Sequence, residues 1–140
     1  MNIKEIEQEI IEEFELFENW EDKYQYIIDM GKDLKGLQEQ YKTDDRLIKG
    51  CQSKVWLHSE VENGKIIFTA DSDAIITKGI VALMIRVLSN HSPDEIVNAE
   101  LSFINAIGLK EHLSPTRANG LVSMIKQMKL DALALKTKVV

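Results

Sequence analysis

The chain has 140 residues, a formal net charge of −6 and one cysteine. At this length, residues 1–140 are expected to form one domain that buries about 70% of the surface the unfolded chain exposes. The lone cysteine excludes an internal disulfide, the acidic balance argues against a nucleic-acid-binding surface, and the longest apolar run, Gly79 to Ile85, falls far short of a membrane span of roughly 20 residues.

Met1 to Glu13 alternates charge with isoleucine where a secretory leader would carry an apolar core, so a reducing, cytoplasmic location is expected. Asn2 is placed to cap a helix whose apolar positions Ile3, Ile6, Ile10, Phe14 and Phe17 recur at three- and four-residue spacing, with Glu5 as the reciprocal capping-box partner. The glutamates from Glu5 to Glu15, Glu7, Glu9 and Glu13 among them, read as its solvated face. Asn19 caps a second helix that turns Trp20, Tyr24, Ile27 and Ile28 inward, with Gly31 in position to terminate it. From Lys32 to Gly50 no period is sustained, which predicts a long connection with one short helical turn.

Ser53 to Val61 alternates as a strand, with Val55, Leu57 and Val61 on one side and Lys54, Trp56, His58 and Glu60 on the other. Asn63-Gly64 is a strong short hairpin signal, and Lys65 to Ala70 forms the return strand. A two-stranded hairpin is marginal alone, so a third strand or a helix must cover it. Ser72 or Asp73 can cap a nearly all-apolar central helix from Ala74 to Leu88, where Gly79 marks a close approach. Ser92-Pro93-Asp94-Glu95 opens a short helix, and Ser114-Pro115-Thr116-Arg117 opens one that runs through Leu121, Ile125, Met128 and Leu133. Helices, hairpin, helices is the order of an α+β protein, with a small antiparallel sheet packed against helices.

Few residues carry chemistry. His58, His91 and His112 are scattered, and neither a C-x-x-C pair nor a glycine-rich nucleotide loop occurs, so neither a metal nor a nucleotide site has support. Cys51 stands out, because Gly50, Gln52, Ser53 and Lys54 are small or polar neighbours at the mouth of the first strand. Lys49, Lys54, Arg46 or Arg117 could assist its ionisation. A Cys/His hydrolase would need one of the histidines within reach of the sulfur, a cluster scaffold would need more ligands than one thiol, and an internal redox switch would need a second cysteine. What one sulfur can do with a partner is accept an atom, hold it and give it away.

The chain resembles the SufE sulfur-acceptor proteins of iron–sulfur cluster assembly in several ordered blocks. These are Asn19 to Ile28, Gly50-Cys51-Gln52-Ser53-Lys54-Val55-Trp56-Leu57, Asp71-Ser72-Asp73-Ala74 with Lys78-Gly79, Ser92-Pro93 with Ile96-Val97, and His112 to Leu121. The resemblance implies a two-layer α+β fold shared with IscU-type scaffold proteins. It implies that Cys51 accepts persulfide sulfur from a PLP-dependent cysteine desulfurase of the SufS type, stimulates it, and delivers the sulfur to a SufBCD-type scaffold. On this resemblance the protein itself binds no cofactor and has no independent turnover; a monomer or weak homodimer is expected, without nucleic acid or membrane as partner. Gly50, Gln52, Ser53, Asp73 and Arg117 are the candidates to support the thiol or dock the partner. Arg46 stands where the family usually has Asn, and Leu34-Lys35-Gly36-Leu37 lacks a proline common after the second helix.

Overall fold

The computed structural model of the protein describes residues 1–138. Two helices come first. Helix α1 (Ile3–Glu15) starts on the expected capping box, with the Glu5 amide donating to Asn2 Oδ1 at 2.8 Å and the Asn2 amide to Glu5 Oε1 at 3.1 Å. Ile3, Ile10 and Phe14 enter the core. Its glutamate face is not uniformly solvated: Glu7 is buried, and Glu9 and Glu13 accept from the Arg86 guanidinium at 2.7 and 2.8 Å. The reach of a long arginine from a neighbouring helix turns part of a polar stripe into an interface.

Helix α2 (Trp20–Asp33) is capped by Asn19, whose Oδ1 accepts from the Asp22 amide at 2.9 Å. Gly31 does not end it. The helix continues to Asp33, and Gly31 is buried where α2 crosses helix α3 (Ile75–Leu88) at Gly79. A Cβ on Gly79 would lie 2.2 Å from the Ile27 carbonyl oxygen, and one on Gly31 2.7 Å from the Gly79 nitrogen. Two glycines therefore let the helix backbones touch. Helix α3 carries the densest part of the core, with Ile80, Val81, Leu83, Met84, Val87 and Leu88 all buried.

Strands β1 (Val55–Glu62) and β2 (Lys65–Ser72) pair antiparallel with Val55 opposite Ser72 and Glu62 opposite Lys65. Asn63 (φ 53°) and Gly64 (φ 77°) both adopt the left-handed conformation that a two-residue hairpin turn requires. Among the described residues there is no third strand. Each edge is instead closed by a single bridge: the Ile48 amide donates to the Val55 carbonyl at 2.9 Å beside a Leu47–Trp56 bridge, and Ile66 exchanges hydrogen bonds with Asn90 and His91 at 2.7 and 2.9 Å. These bridges, with α3 packed on β2 and the C-terminal helix on β1, supply what an isolated hairpin lacks.

The connection after α2 contains two 3₁₀ turns, Glu39–Tyr41 and Asp44–Arg46, and lies as a strap across the hairpin. Buried Asp71 holds it, accepting from Lys42 Nζ at 3.2 Å, the Leu37 amide at 3.4 Å, Lys78 Nζ at 3.2 Å and the Ser72 amide at 2.8 Å. Helix α4 (Pro93–Val97) has the expected Ser92/Glu95 capping box. A four-residue helix α5 (Phe103–Ala106) was not legible, being too short to show a period; Phe103 and Ile104 anchor it. Helix α6 (Pro115–Leu135) begins on Ser114, which accepts from the Arg117 amide at 3.3 Å. The architecture is the expected α+β arrangement of helices around a small antiparallel sheet.

Candidate functional site

Cys51 sits on a short loop between the strap and β1, and both ends of that loop are held. At the entry, Gly50 turns the chain at φ 92°, a conformation that disfavours any side chain, and its Cα faces α6 closely enough that an added Cβ would lie 2.5 Å from Ser123 Oγ. At the exit, the Lys54 amide donates to Asp73 Oδ1 at 3.0 Å, and the Lys54 carbonyl accepts from the Asp73 amide at 3.3 Å and from Ser72 Oγ at 2.8 Å. Asp73 thus clamps the loop. It is not the cap of α3, where the N-cap is Ala74 with no side-chain hydrogen bond; the Lys54 amide claims its carboxylate first.

Between these ends the Cys51 thiol is half-buried and donates to the Gly120 carbonyl of α6 at 3.6 Å. Gly120 is buried, and a Cβ there would stand 3.4 Å from Sγ, in ordinary van der Waals contact with the sulfur. Beside the thiol opens a cavity of about 260 Å³. Thr77 and Ile80 line it from α3, Thr116, Arg117, Leu121 and Met124 from α6, and Gln52 and Ser53 from the loop. Of the residues expected at the site, Cys51, Gln52, Ser53 and Arg117 therefore meet at one cavity, Gly50 turns the chain into it, and Asp73 acts from outside.

Burial pushes the Cys51 thiol up from its ordinary value. A protonated thiol is the resting form at neutral pH. Of the four cations considered for assisting ionisation, only Arg117 lines the cavity; its side chain is exposed and makes no ion pair among the described residues. Lys49 and Lys54 point to solvent as exposed residues, and Arg46 lies over the Tyr41 ring at 5.0 Å while donating Nε to His58 Nδ1 at 3.2 Å.

No histidine lines the cavity. His58 is stacked on Tyr41 at 4.6 Å, His91 is buried at the β2 edge with Nδ1 3.6 Å from Glu95, and His112 is stacked on Trp20 at 3.9 Å. The imidazole that a Cys/His hydrolase needs is absent from the thiol's surroundings. Among the described residues no three His, Cys, Asp or Glu side chains are grouped to hold a metal. Gly120 and Thr116 stand in the block from His112 to Leu121 without being assigned to the site, and Thr77 stands in none of the blocks. An isolated glycine inside an apolar helical pattern was the available sign for Gly120; the hydroxyls carried none.

Fold and loop together define a small α+β protein built around one half-sheltered thiol. The family model described as "SufE: Fe-S metabolism associated domain" matches residues 8–132. Over 129 residues the chain is 40% identical to a SufE-like protein of Rhizobium meliloti, covering 89% of this chain and 92% of the relative. It is 37% identical over 132 residues to SufE-like protein 1, chloroplastic/mitochondrial, of Arabidopsis thaliana, covering 94% of this chain but 36% of that longer relative. The solution structure of a hypothetical protein from Thermus thermophilus superimposes with a TM-score of 0.78 over 94% of this chain and 96% of that one; at 19% identity this likeness speaks for the fold. The chain belongs to the SufE family, which is associated with iron–sulfur metabolism. No described helix is long and apolar enough to cross a membrane.

Proposed function

We propose that the protein is a sulfur carrier for iron–sulfur cluster assembly, with Cys51 as the acceptor atom. Its donor is the persulfide of a PLP-dependent cysteine desulfurase of the SufS type, which it stimulates, and its recipient is a SufBCD-type scaffold in the cytoplasm. The observation that carries this reading is the Cys51 thiol, held at the Gly120 carbonyl beside a cavity of about 260 Å³ with no histidine on its lining. Such a site can hold a sulfur but lacks the base of a hydrolase.

In the transfer, Cys51 loses its proton and the thiolate attacks the terminal sulfur of the donor persulfide. The sulfur–sulfur bond of the donor breaks, a new one forms to Cys51, and the donor cysteine leaves as a thiolate that takes up the proton. No electrons are gained or lost overall. Because burial holds the free thiol protonated, the exposed Arg117 guanidinium at the cavity and the docked partner are the sources of the positive field that would lower its pKa. Asp73 holds the Lys54 end of the loop so that the sulfur meets the partner in a fixed position. The PLP belongs to the desulfurase.

The test is the intact mass of the protein after incubation with a SufS-type desulfurase and cysteine without reductant. A gain of about 32 Da or multiples of it, reversed by dithiothreitol and absent in Cys51→Ser, is expected. No gain with the desulfurase from the same source, or an equal gain in Cys51→Ser, would refute the assignment.

A further inference from the structure

A second cleft, of about 570 Å³, lies between the first turns of α1 and the segment from Glu95 to Ser102, and shares no lining residue with the Cys51 cavity. Three carboxylates reach it, Glu7, Glu95 and Glu100, with Lys4 the one cation on its lining. Two of its polar groups are already engaged: Asn2 by its own capping box, and Glu95 by the Ser92 amide at 3.2 Å, with His91 Nδ1 3.6 Å away. Glu7 is different. It is 6% exposed, and its Oε1 is the one buried side-chain oxygen or nitrogen without a hydrogen-bond partner among the described residues.

A buried carboxylate oxygen without a donor is a costly arrangement that native proteins resolve with a partner. Burial and the nearby charge of Glu100 both push the Glu7 carboxyl up, while Lys4 draws it down by less. A positively charged donor would relieve both effects, by hydrogen-bonding Oε1 and by offsetting the charge of Glu100. A metal ion does not suit the place, since no three acidic, histidine or cysteine side chains converge among the described residues. The acceptors are spread along a cleft, and neutral amides, Gln8 and Asn98, stand among the acids. A planar guanidinium, with several donors in a fixed fork and weaker hydration than an ammonium, matches a spread set of oxygens better than a point charge does.

We propose that this cleft is a docking site for an arginine side chain presented by a partner protein, with Glu7 as its central acceptor. Charge complementarity favours that source: the cleft opens beside the acidic face of α1 in a chain of net charge −6, a field that draws a basic protein surface. The site stands independently of the sulfur chemistry at Cys51, since the two cavities have no residue in common.

The test is a two-dimensional amide NMR titration of the full chain with the tripeptide Gly-Arg-Gly, end-blocked, beside the same peptide carrying citrulline or lysine. Citrulline keeps the shape of arginine and lacks its charge. The arginine peptide is expected to shift the amides of Glu7, Gln8 and Asn98 to Ser102 saturably, with the citrulline peptide binding at least about tenfold more weakly. Glu7→Gln is expected to weaken the arginine peptide by about tenfold while leaving the Cys51 loop amides in place. Glu100→Gln, on the cleft's far wall, is expected to weaken it by a smaller factor. Equal binding of the arginine and citrulline peptides, or unchanged binding in a folded Glu7→Gln protein, would overturn the proposal. Agmatine binding more than tenfold tighter than the arginine peptide would overturn the assignment to a protein side chain.

Discussion

Two carboxylates in this protein are equally hidden from water and opposite in behaviour. Asp71, 7% exposed, sits where strap, hairpin and α3 meet; Glu7, 6% exposed, sits on α1. Burial pushes the Asp71 carboxyl up, but the Ser72 amide, Lys42, Lys78 and the Leu37 amide outweigh it and hold the acid below its usual range. For Glu7, burial and Glu100 act together and the acid rises. Degree of burial thus says little about a charge; the donors delivered to it decide whether it stabilises the fold. At Cys51 the balance resembles that of Glu7: burial opposes the thiolate, and the neighbouring Gly120 carbonyl supplies no donor to offset it.

Asp71→Ala is expected to have the largest effect. It removes the counter-charge of Lys78 and one of the two carboxylates on Lys42, which keeps Glu39, and it frees the strap, so a loss of about 3 kcal/mol in urea unfolding at pH 7 is expected. An effect under about 1 kcal/mol would show that the four donors contribute no more than a surface pair does. The Asp71 contribution is present above its unfolded value of 3.8 and is lost as pH falls through the lower folded value.

Glu7→Gln should go the other way, stabilising the free protein at pH 7 by about 1 kcal/mol, since a neutral amide replaces a carboxylate without a partner. The sign follows from the raised pKa: folded Glu7 holds its proton more tightly than unfolded Glu7, so its favourable contribution exists in acid and disappears as pH climbs through the folded value above 4.5. The advantage of Glu7→Gln over wild type should therefore grow between pH 4 and 7. Thermal melts across that range would show it; a variant less stable than wild type at pH 7 would place an unseen donor on Glu7.

The smallest effect concerns the thiol. Alkylation of Cys51 by iodoacetamide should rise with pH to a midpoint above the ordinary value of 9.0, because burial opposes the thiolate. Asp73→Ala, which releases the Lys54 end of the loop, is expected to speed alkylation at pH 7.5 by roughly threefold with little change in stability. An unchanged rate would mean that Gly50 and α6 alone hold the sulfur in place.

Much of the fold could be read from short-range signals. Asn2 with Glu5, Asn19, Asn63-Gly64, and Ser92 with Glu95 each act within two to four residues, and each does in the structure what its spacing implies. The misread residues are those whose partners lie far along the chain. Gly31 looked like a helix terminator because nothing near it shows that Gly79 crosses there. Glu7 looked solvated because the helical period places it beside other glutamates, while the segment around Glu100 that covers it is some ninety residues away. Asp73 looked like a cap because capping is local, whereas its bond to the Lys54 amide spans 19 residues.

The class of fold, the hairpin and its turn, the starts of the principal helices, the family, and the singular standing of Cys51 all follow from the order of residues alone. The family rests on the resemblance of its ordered residue blocks, and the others on periodicity, on chirality-bound turn residues, or on which side chains exist at all. It takes the packed chain to show that Cys51 faces the Gly120 carbonyl 69 positions later, that Arg117 shares its cavity while Arg46 and the histidines do not, and that Asp71 is surrounded by donors while Glu7 Oε1 is left with none. The physical reason is that the state of a buried polar group depends on the atoms packed around it, and packing brings those atoms from parts of the chain that share no local pattern.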